Sequence, residues 1–97
     1  MNEKIIAAIT RERNYQDAKW GPPQHTVGEW LLIVQAELDE AKLAWVKGQG
    51  DTGALEELLQ VVSVGVACME QHGIIQRFLF LKDQPWPIDK TETADHE

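Results

Sequence analysis

Apolar residues recur at helical spacing along residues 26–48, TVGEWLLIVQAELDEAKLAWVKG. Thr26 is a good N-cap, and Glu29, three residues later, completes a capping box. Gly48 and Gly50 supply a stop signal at the other end. The pattern therefore predicts one long amphipathic helix over this stretch.

A glutamate occupies the middle of the apolar face of this helix. With residues placed about 100° apart around the axis, five apolar residues fall within roughly 60° of Glu37. They are Trp30, Ile33, Val34, Ala41 and Ala44. Glu40 lies one turn further along, at the edge of the face. A buried carboxylate must be neutral, paired with a cation or bound to metal, and a salt bridge to a neighbouring helix is the simplest of these.

A second stretch, residues 54–71, repeats this design. Four apolar residues, Ala54, Val61, Val64 and Cys68, fall within roughly 60° of Glu57. Gln60 holds the edge position that Glu40 holds on the first helix. A short turn joins the two helices, so they are expected to be antiparallel. Each then presents a glutamate in mid-face and a polar residue three positions later.

Glycines and prolines separate the predicted helices. Residues 48–53 form the turn, and Asp51 or Thr52 is expected to cap the helix that follows. Residues 20–25, WGPPQH, form a loop ahead of the central helix. Trp20 in this loop is expected either to plug the core or to cover a planar base, and the plug is the simpler interpretation.

Residues 2–18 are predicted to form a first helix with only a partial apolar stripe, so it should lie on the side of a bundle. It carries the densest cations of the chain, Arg11, Arg13 and Lys19. Their simplest role is pairing with acidic neighbours at helical spacing, namely Glu3, Glu12 and Asp17. The alternative role is contact with the phosphates of a ligand beside the acidic site.

Some apolar residues are expected to be buried by a part of the molecule outside the helix that carries them, or by another subunit. The central helix carries Leu32, Leu43 and Val46 on the side away from Glu37, so another subunit is expected to cover part of it. Residues 74–81, IIQRFLFL, are predicted to form a last helix that docks on the bundle or on a second subunit. Residues 83–97 are expected to be an extended or disordered tail after a single domain of residues 1–82.

Composition narrows the class of protein. The chain has 97 residues and a net charge of −7, with nine Lys and Arg that form no block, which argues against a nucleic-acid partner. No long alternation of β-branched residues occurs, so an all-α protein is expected. The single Cys68 fits a reducing compartment. The apolar runs at 5–9 and 61–69 are too short for a signal peptide or a membrane span, so a cytoplasmic location is expected.

The acidic pattern predicts a metal site. Carboxylates at positions i and i+3 on facing helices form an oxygen-rich cage in a bundle core. Mg²⁺, and with it Mn²⁺, prefers oxygen ligands and keeps open positions for water and substrate phosphates. A metal held there could polarise a phosphoryl oxygen and help to generate a nucleophilic water.

At these residues the chain resembles a known family. Glu37-Leu38-Asp39-Glu40 reads as ExxE, and Glu56-Glu57-Leu58-Leu59-Gln60 falls where a second motif, ExxD, would follow. The preceding ERNYQDAKWG and the Trp in GEW strengthen the likeness. Over roughly residues 10–75 the sequence resembles the MazG-type all-α nucleoside triphosphate pyrophosphohydrolases.

The resemblance implies a MazG-like helical bundle completed by oligomerisation as a dimer or tetramer. It further implies a house-cleaning enzyme that uses Mg²⁺ and water to convert a nucleoside triphosphate into the monophosphate and pyrophosphate. Glu37, Glu40 and Glu57 would be metal ligands, with Glu40 also a candidate for the base that activates water. Gln60 stands where the family has Asp, and it would complete or orient the ligand shell with one negative charge fewer.

Four further residues are expected to contact the nucleotide. Lys19 and Arg13 are candidates for the phosphates, and Trp20 or Trp30 for stacking on the base. Trp30 has a core role as its alternative, because it lies on the apolar stripe. Two other functions stay open: a MazG-like nucleotide-binding or regulatory protein without turnover, suggested by Gln60, and a structural module whose acidic pairs are salt-bridged.

Overall fold

Three helices make up the part of the chain that the computed structural model describes, residues 1–75. They are α1 (Glu3–Trp20), α2 (Val27–Ala44) and α3 (Gly50–His72), with a short, irregular helical segment at Trp45–Gln49 between α2 and α3. No strand occurs within this range. The all-α prediction is therefore confirmed. The last helix predicted at residues 74–81 falls almost entirely outside the described residues, as does the tail at 83–97.

Local signals set the ends of α1 and α2. The side chain of Asn2 accepts a hydrogen bond from the backbone of Lys4, and Gly21, with φ 85°, ends α1. At the start of α2, the hydroxyl of Thr26 accepts from the backbone N–H of Glu29 at 3.1 Å. The carboxylate of Glu29 accepts in return from the backbone N–H of Thr26 at 2.8 Å. The predicted capping box is confirmed.

The turn between α2 and α3 differs from its prediction. Gly48 and Gly50 have φ of 90° and 64°, values that glycine adopts without a steric cost, and they reverse the chain. α3 then begins at Gly50 instead of residue 54. Neither Asp51 nor Thr52 caps it, because both lie inside its first turn. The carboxylate of Asp51 instead accepts a hydrogen bond from the indole nitrogen of Trp45 at 3.0 Å.

One stretch of the described residues is long and apolar enough to cross a membrane by length and composition. It belongs to the helical run counted from Val27 to His72, and its apolar part, residues 52–69, lies within α3. The core helix of a soluble protein passes the same test, so this finding by itself places no part of the chain in a membrane.

The core lies between α2 and α3 and is small. Trp30 packs with Val64 and Ala67, and Ile33, Val34 and Cys68 are partly buried against them. The side-chain oxygen of Gln71 accepts two hydrogen bonds, from the indole of Trp30 at 2.8 Å and from the backbone N–H of His25 at 3.0 Å. These contacts join the start of α2 to the end of α3, as the antiparallel prediction requires.

α1 packs on the side of α3. Arg13 is buried at this contact and reaches Glu70 on α3. Ser63 is fully buried on α3, one heptad before Glu70. The apolar side of α2 formed by Leu32, Leu43 and Val46 stays more than half exposed. Nothing in residues 1–75 covers these three side chains.

Candidate metal centre

Three of the predicted ligands meet between α2 and α3. Glu37 and Glu40 project from α2 and Glu57 from α3, and one carboxylate oxygen of each lies within 4.8 Å of the other two. Glu37 and Glu57 are half-buried, whereas Glu40 is exposed. Helical periodicity places Glu37 and Glu57 on the inward sides of their helices. The antiparallel pairing of α2 with α3 then brings them together with Glu40.

Two of the carboxylate oxygens lack partners among the described residues. Oε1 of Glu37 and Oε1 of Glu57 are buried and accept no hydrogen bond from residues 1–75. The ion pairs found within residues 1–75 involve Arg13, His25 and Lys42 as cations, and none of them reaches the three glutamates. The salt bridge that was the simplest expectation for Glu37 is therefore not formed by the described part of the chain.

Electrostatics at Glu37 follow from this arrangement. Burial raises the pKa of Glu37 above its ordinary value, and the charges of Glu40, Glu57 and Glu12 raise the pKa further. A cation placed among these oxygens would reverse the effect, because it stabilises the ionised carboxylates.

Glu12 is a residue that the sequence interpretation assigned only to pairing on α1. It is half-buried, and its charge acts on Glu37 from a third helix. In the sequence, Glu12 and Arg13 are two adjacent charged residues that interrupt the apolar stripe of α1, which indicates that one of them lies on its inward side. The sequence does not show whether Glu12 or Arg13 acts on the acidic cluster.

Gln60 lies on α3 one turn after Glu57 and is half-buried. Its amide stands in the position that the resemblance assigns to a fourth carboxylate. An amide oxygen can ligate a hard cation, but it carries no charge. The cluster therefore holds three carboxylates and one neutral neighbour.

Arg13 does not occupy the predicted phosphate site. It is 5% exposed. Its guanidinium donates to Glu70 at 2.9 Å, to Gln16 at 3.0 Å and to Asp17 at 2.8 Å. Burial by itself lowers the pKa of Arg13, but the hydrogen bonds and charges of Glu70 and Asp17 outweigh it, and the pKa is raised. These donors are used inside the protein, so the described residues give no support to the predicted phosphate contact of Arg13.

The structure distinguishes the two tryptophans that were predicted to stack on a base. Trp30 is a core residue, 7% exposed, so its ring faces are covered and cannot stack on a base; the core alternative is confirmed. Trp20 is 74% exposed, so it does not plug the core. The ammonium of Lys19 lies 4.9 Å from the ring centre of Trp20 and 5.7 Å from that of Tyr15. Lys19 and Trp20 thus remain accessible to a ligand.

The donor set suits a hard divalent cation. Oxygen ligands of one octahedral Mg²⁺ lie about 3.0 Å apart when adjacent and about 4.2 Å apart when opposite, given metal–oxygen distances of about 2.1 Å. The three oxygens, within 4.8 Å of one another, would have to move closer together to bind one ion. The two buried oxygens without partners are the atoms that such an ion would satisfy. Glu37, Glu40 and Glu57 therefore fit the group that the sequence pattern predicts.

Comparisons with protein-family models, with curated proteins and with solved structures find no match to this chain. The likeness to the MazG-type family accordingly rests on the motif residues and their spacing.

Proposed function

We propose that this protein is a Mg²⁺-dependent nucleoside triphosphate pyrophosphohydrolase, which forms a nucleoside monophosphate and pyrophosphate. The observation that carries the proposal is the cluster of Glu37, Glu40 and Glu57, with two buried oxygens that no other group within residues 1–75 satisfies. Unpaired buried carboxylates destabilise a fold, so a protein that keeps them has a use for them.

Glu37 and Glu57 would hold the ion, and Glu40 would complete the carboxylate set from the solvent side. A bound Mg²⁺ or Mn²⁺ would neutralise phosphate charge and lower the pKa of a bound water. Because Glu40 is exposed, its carboxylate can take up the proton of an attacking water and pass it to solvent. Gln60 would orient the shell through its amide.

The nucleotide must approach an acidic protein. The chain carries a net charge of −7, so the metal and a few placed cations have to attract the phosphates. Lys19 and the exposed ring of Trp20, adjacent at the end of α1, provide a cation and a stacking surface. We assign them, and not Arg13 or Trp30, to substrate contact.

We further propose a cytoplasmic homo-oligomer, a dimer or tetramer, in which a helical bundle forms across subunits. Large apolar side chains of α2 and α3 remain exposed in residues 1–75, which supports association with another copy. Neither a nucleic acid nor a membrane is part of this proposal.

The test is pyrophosphate release from a panel of canonical and modified nucleoside triphosphates, with Mg²⁺, Mn²⁺ or chelator. Metal-dependent release on at least one substrate is expected. Glu57→Gln should lower that release by at least about 100-fold, since it removes a ligand charge. Glu56→Gln is the matched control: Glu56 is the adjacent, exposed residue outside the cluster, and its variant should keep full activity. Equal activity of the two variants would refute the assignment.

Gln60 favours a second candidate, a nucleotide-binding or regulatory protein without turnover. Gln60→Asp separates the two candidates, because it restores the charge that the family pattern has. If the natural chain binds nucleotide but is inactive and Gln60→Asp gains Mg²⁺-dependent turnover, the binding role is correct. A purely structural module, the third candidate, predicts no rise in Tm with Mg²⁺ or Mn²⁺, because only a ligand of the folded state stabilises it.

A further inference from the structure

α1 brings a further carboxylate to the acidic side of the hairpin formed by α2 and α3. Glu12 is half-buried on α1, and its charge contributes to the raised pKa of Glu37 on α2. It is not one of the three residues whose carboxylate oxygens lie within 4.8 Å of one another. Glu12 therefore stands near the cluster of Glu37, Glu40 and Glu57 but outside the set of groups that would touch an ion directly.

Helical phase places the polar edge of the hairpin on the side that α1 covers. On α3, Gln60 lies about 60° around the axis from Glu57, in the direction of Glu70, which contacts α1. On α2, Glu40 lies about 60° from Glu37 in the same sense. Because α2 and α3 are antiparallel, equal rotations bring Glu40 and Gln60 to one side of the hairpin. This is the side on which α1 packs.

Two adjacent side chains of α1 act on different helices. Arg13 donates to Glu70 on α3 at 2.9 Å, which fixes the rotation of α1 about its own axis. Glu12 is displaced from Arg13 by about 100° around α1, and its charge acts on α2. The buried contact of Arg13 thus holds Glu12 on the side of α1 that faces the acidic cluster.

Buried polar groups without partners lie on the same side of α3. Ser63 is 0% exposed, and its hydroxyl oxygen has no hydrogen-bond partner in residues 1–75. It follows Gln60 by one turn of helix, in the direction of Glu70. The buried oxygens of Glu37 and Glu57 are likewise unsatisfied in that range. Since buried polar groups are nearly always hydrogen-bonded, to protein or to ordered water, this region suits a cation together with its bound water.

The charge of Glu12 meets a need that Gln60 leaves open. The family resemblance assigns four carboxylates to the centre, and this chain offers three of them and one neutral amide. Mg²⁺ keeps several waters in its protein sites, and groups that hydrogen-bond to its ligands strengthen its binding. A carboxylate that accepts from such waters adds negative charge to the centre without touching the ion.

We propose that Glu12 is a positioning residue of the metal centre: its carboxylate accepts hydrogen bonds from water bound to the cation and supplies, from α1, the negative charge that Gln60 lacks. Without a cation, Glu12 and Glu37 repel each other; with one, both are attracted to the ion. Cation binding therefore also draws α1 toward the hairpin. This inference rests on the metal centre of the proposed function, and it does not depend on the hydrolysis.

Calorimetric titration of the full chain with Mn²⁺ or Mg²⁺, in the absence of nucleotide, tests the role of Glu12. Glu12→Gln should weaken binding at least about tenfold, the effect typical of groups that orient the ligands of a metal. Glu3→Gln is the matched control, because it removes the same charge from an exposed position of α1 and should leave the affinity unchanged. Equal affinities of Glu12→Gln and the natural chain would overturn the proposal. Absence of binding to the natural chain would overturn the metal centre together with it.

Thermal melts separate this role from a structural one. Glu12→Gln removes a charge that repels Glu37, so its metal-free Tm should equal or exceed that of the natural chain. At the same Mn²⁺ concentration, the rise in Tm should be smaller for the variant, because its affinity is lower. A fall in the metal-free Tm would show that Glu12 supports the fold by itself, and the proposal would then be wrong.

A second substitution tests whether Glu12 and Gln60 serve the same ion. Gln60→Asp adds the missing charge on α3. It should raise the affinity for Mn²⁺ more in the Glu12→Gln chain than in the natural chain, where a carboxylate already supplies that charge. Equal gains in the two chains would mean that the two positions act on different ions, which contradicts the proposal. These measurements use no nucleotide, so an absence of pyrophosphate release would leave them unaffected.

Discussion

Two groups of charged side chains lie at the helix contacts within residues 1–75, and their charges are treated in opposite ways. At the contact of α1 with α3, Arg13 is surrounded by Glu70, Asp17 and Gln16, and its charge is fully used. Between α2 and α3, Glu37 and Glu57 each keep a buried oxygen that has no partner in the described part of the chain. The first group resembles a structural ion pair, in which the buried cation has two carboxylates as partners.

The difference in pairing distinguishes a role in stabilising the fold, for Arg13, from a role in binding a ligand, for the acidic cluster. Charges that only support the fold are expected to be neutralised inside it, as those of Arg13 are. The pKa of Glu37 is raised by burial and by the charges of Glu40 and Glu57, so the ionised Glu37 weakens the fold until an external cation joins the cluster. The contrast makes the acidic cluster the better candidate for ligand binding, and it can be tested from both sides.

The largest expected effect is at Arg13. Arg13→Met should lower the free energy of unfolding by roughly 2–3 kcal/mol, less than a fully buried pair would cost, since Glu70 and Asp17 are about half exposed. Urea denaturation measures it. Arg11→Met, on the exposed side of α1, should change stability by less than about 0.5 kcal/mol. Equal effects of the two changes would show that Arg13 is not an organising contact.

At Glu37 the change in the free energy of unfolding should have the opposite sign to that at Arg13. Glu37→Gln removes one of the mutually repelling charges, so without metal it should stabilise the fold near neutral pH by about 1 kcal/mol, the energy of two charges about 4 Å apart in water. With Mg²⁺ or Mn²⁺ the same variant should lose the rise in Tm that the natural chain shows. Thermal melts with metal and with chelator measure both effects.

The pH dependence follows from the same raised pKa. A carboxyl whose pKa is higher in the folded state binds its proton more tightly there, so stability increases as the pH falls toward the ordinary pKa of 4.5. As the pH rises through the folded pKa, that stability is lost. Glu37→Gln should therefore flatten the metal-free stability profile above pH 4.5. An unchanged profile would contradict the raised pKa.

The smallest effect is expected at Glu29, whose carboxylate accepts a hydrogen bond from the backbone of Thr26, whereas the buried oxygen of Glu37 accepts none within residues 1–75. The backbone N–H of Thr26 lowers the pKa of Glu29. The stabilisation of the fold by the ionised Glu29 is present above the ordinary pKa of 4.5. It is lost as the pH falls through the lower pKa of the folded state. Glu29→Gln should remove this acid sensitivity and leave most of the cap, since an amide also accepts from the backbone. Comparing acid titrations of the two proteins by circular dichroism measures the change; an identical acid transition would speak against it.

Local patterns in the sequence predicted the parts of the fold that are locally determined. The capping box at Thr26 and Glu29 involves residues three apart, and the inward positions of Glu37 and Glu57 follow from helical periodicity alone. These were predictable because each depends on one helix. The metal and the reaction remain predictions.

Contacts between distant residues could not be predicted in the same way. Arg13 and Glu70 are 57 positions apart, and nothing local indicates that they meet. α3 begins at Gly50 instead of residue 54, so Asp51 lies inside its first turn, where it accepts a hydrogen bond from the indole of Trp45. The exposure of Trp20 likewise depends on how α1 lies on α3, which the sequence pattern leaves open.

The shared acceptor on Gln71 has a consequence for how the protein opens. One carbonyl oxygen holds both the backbone of His25 and the indole of Trp30. When the last turn of α3 frays, both donors lose their partner in a single event. Their protons should therefore exchange with deuterium together, at a rate set by that end of α3. The loop before α2 and the final turn of α3 then behave as one cooperative unit, although 46 positions separate His25 from Gln71.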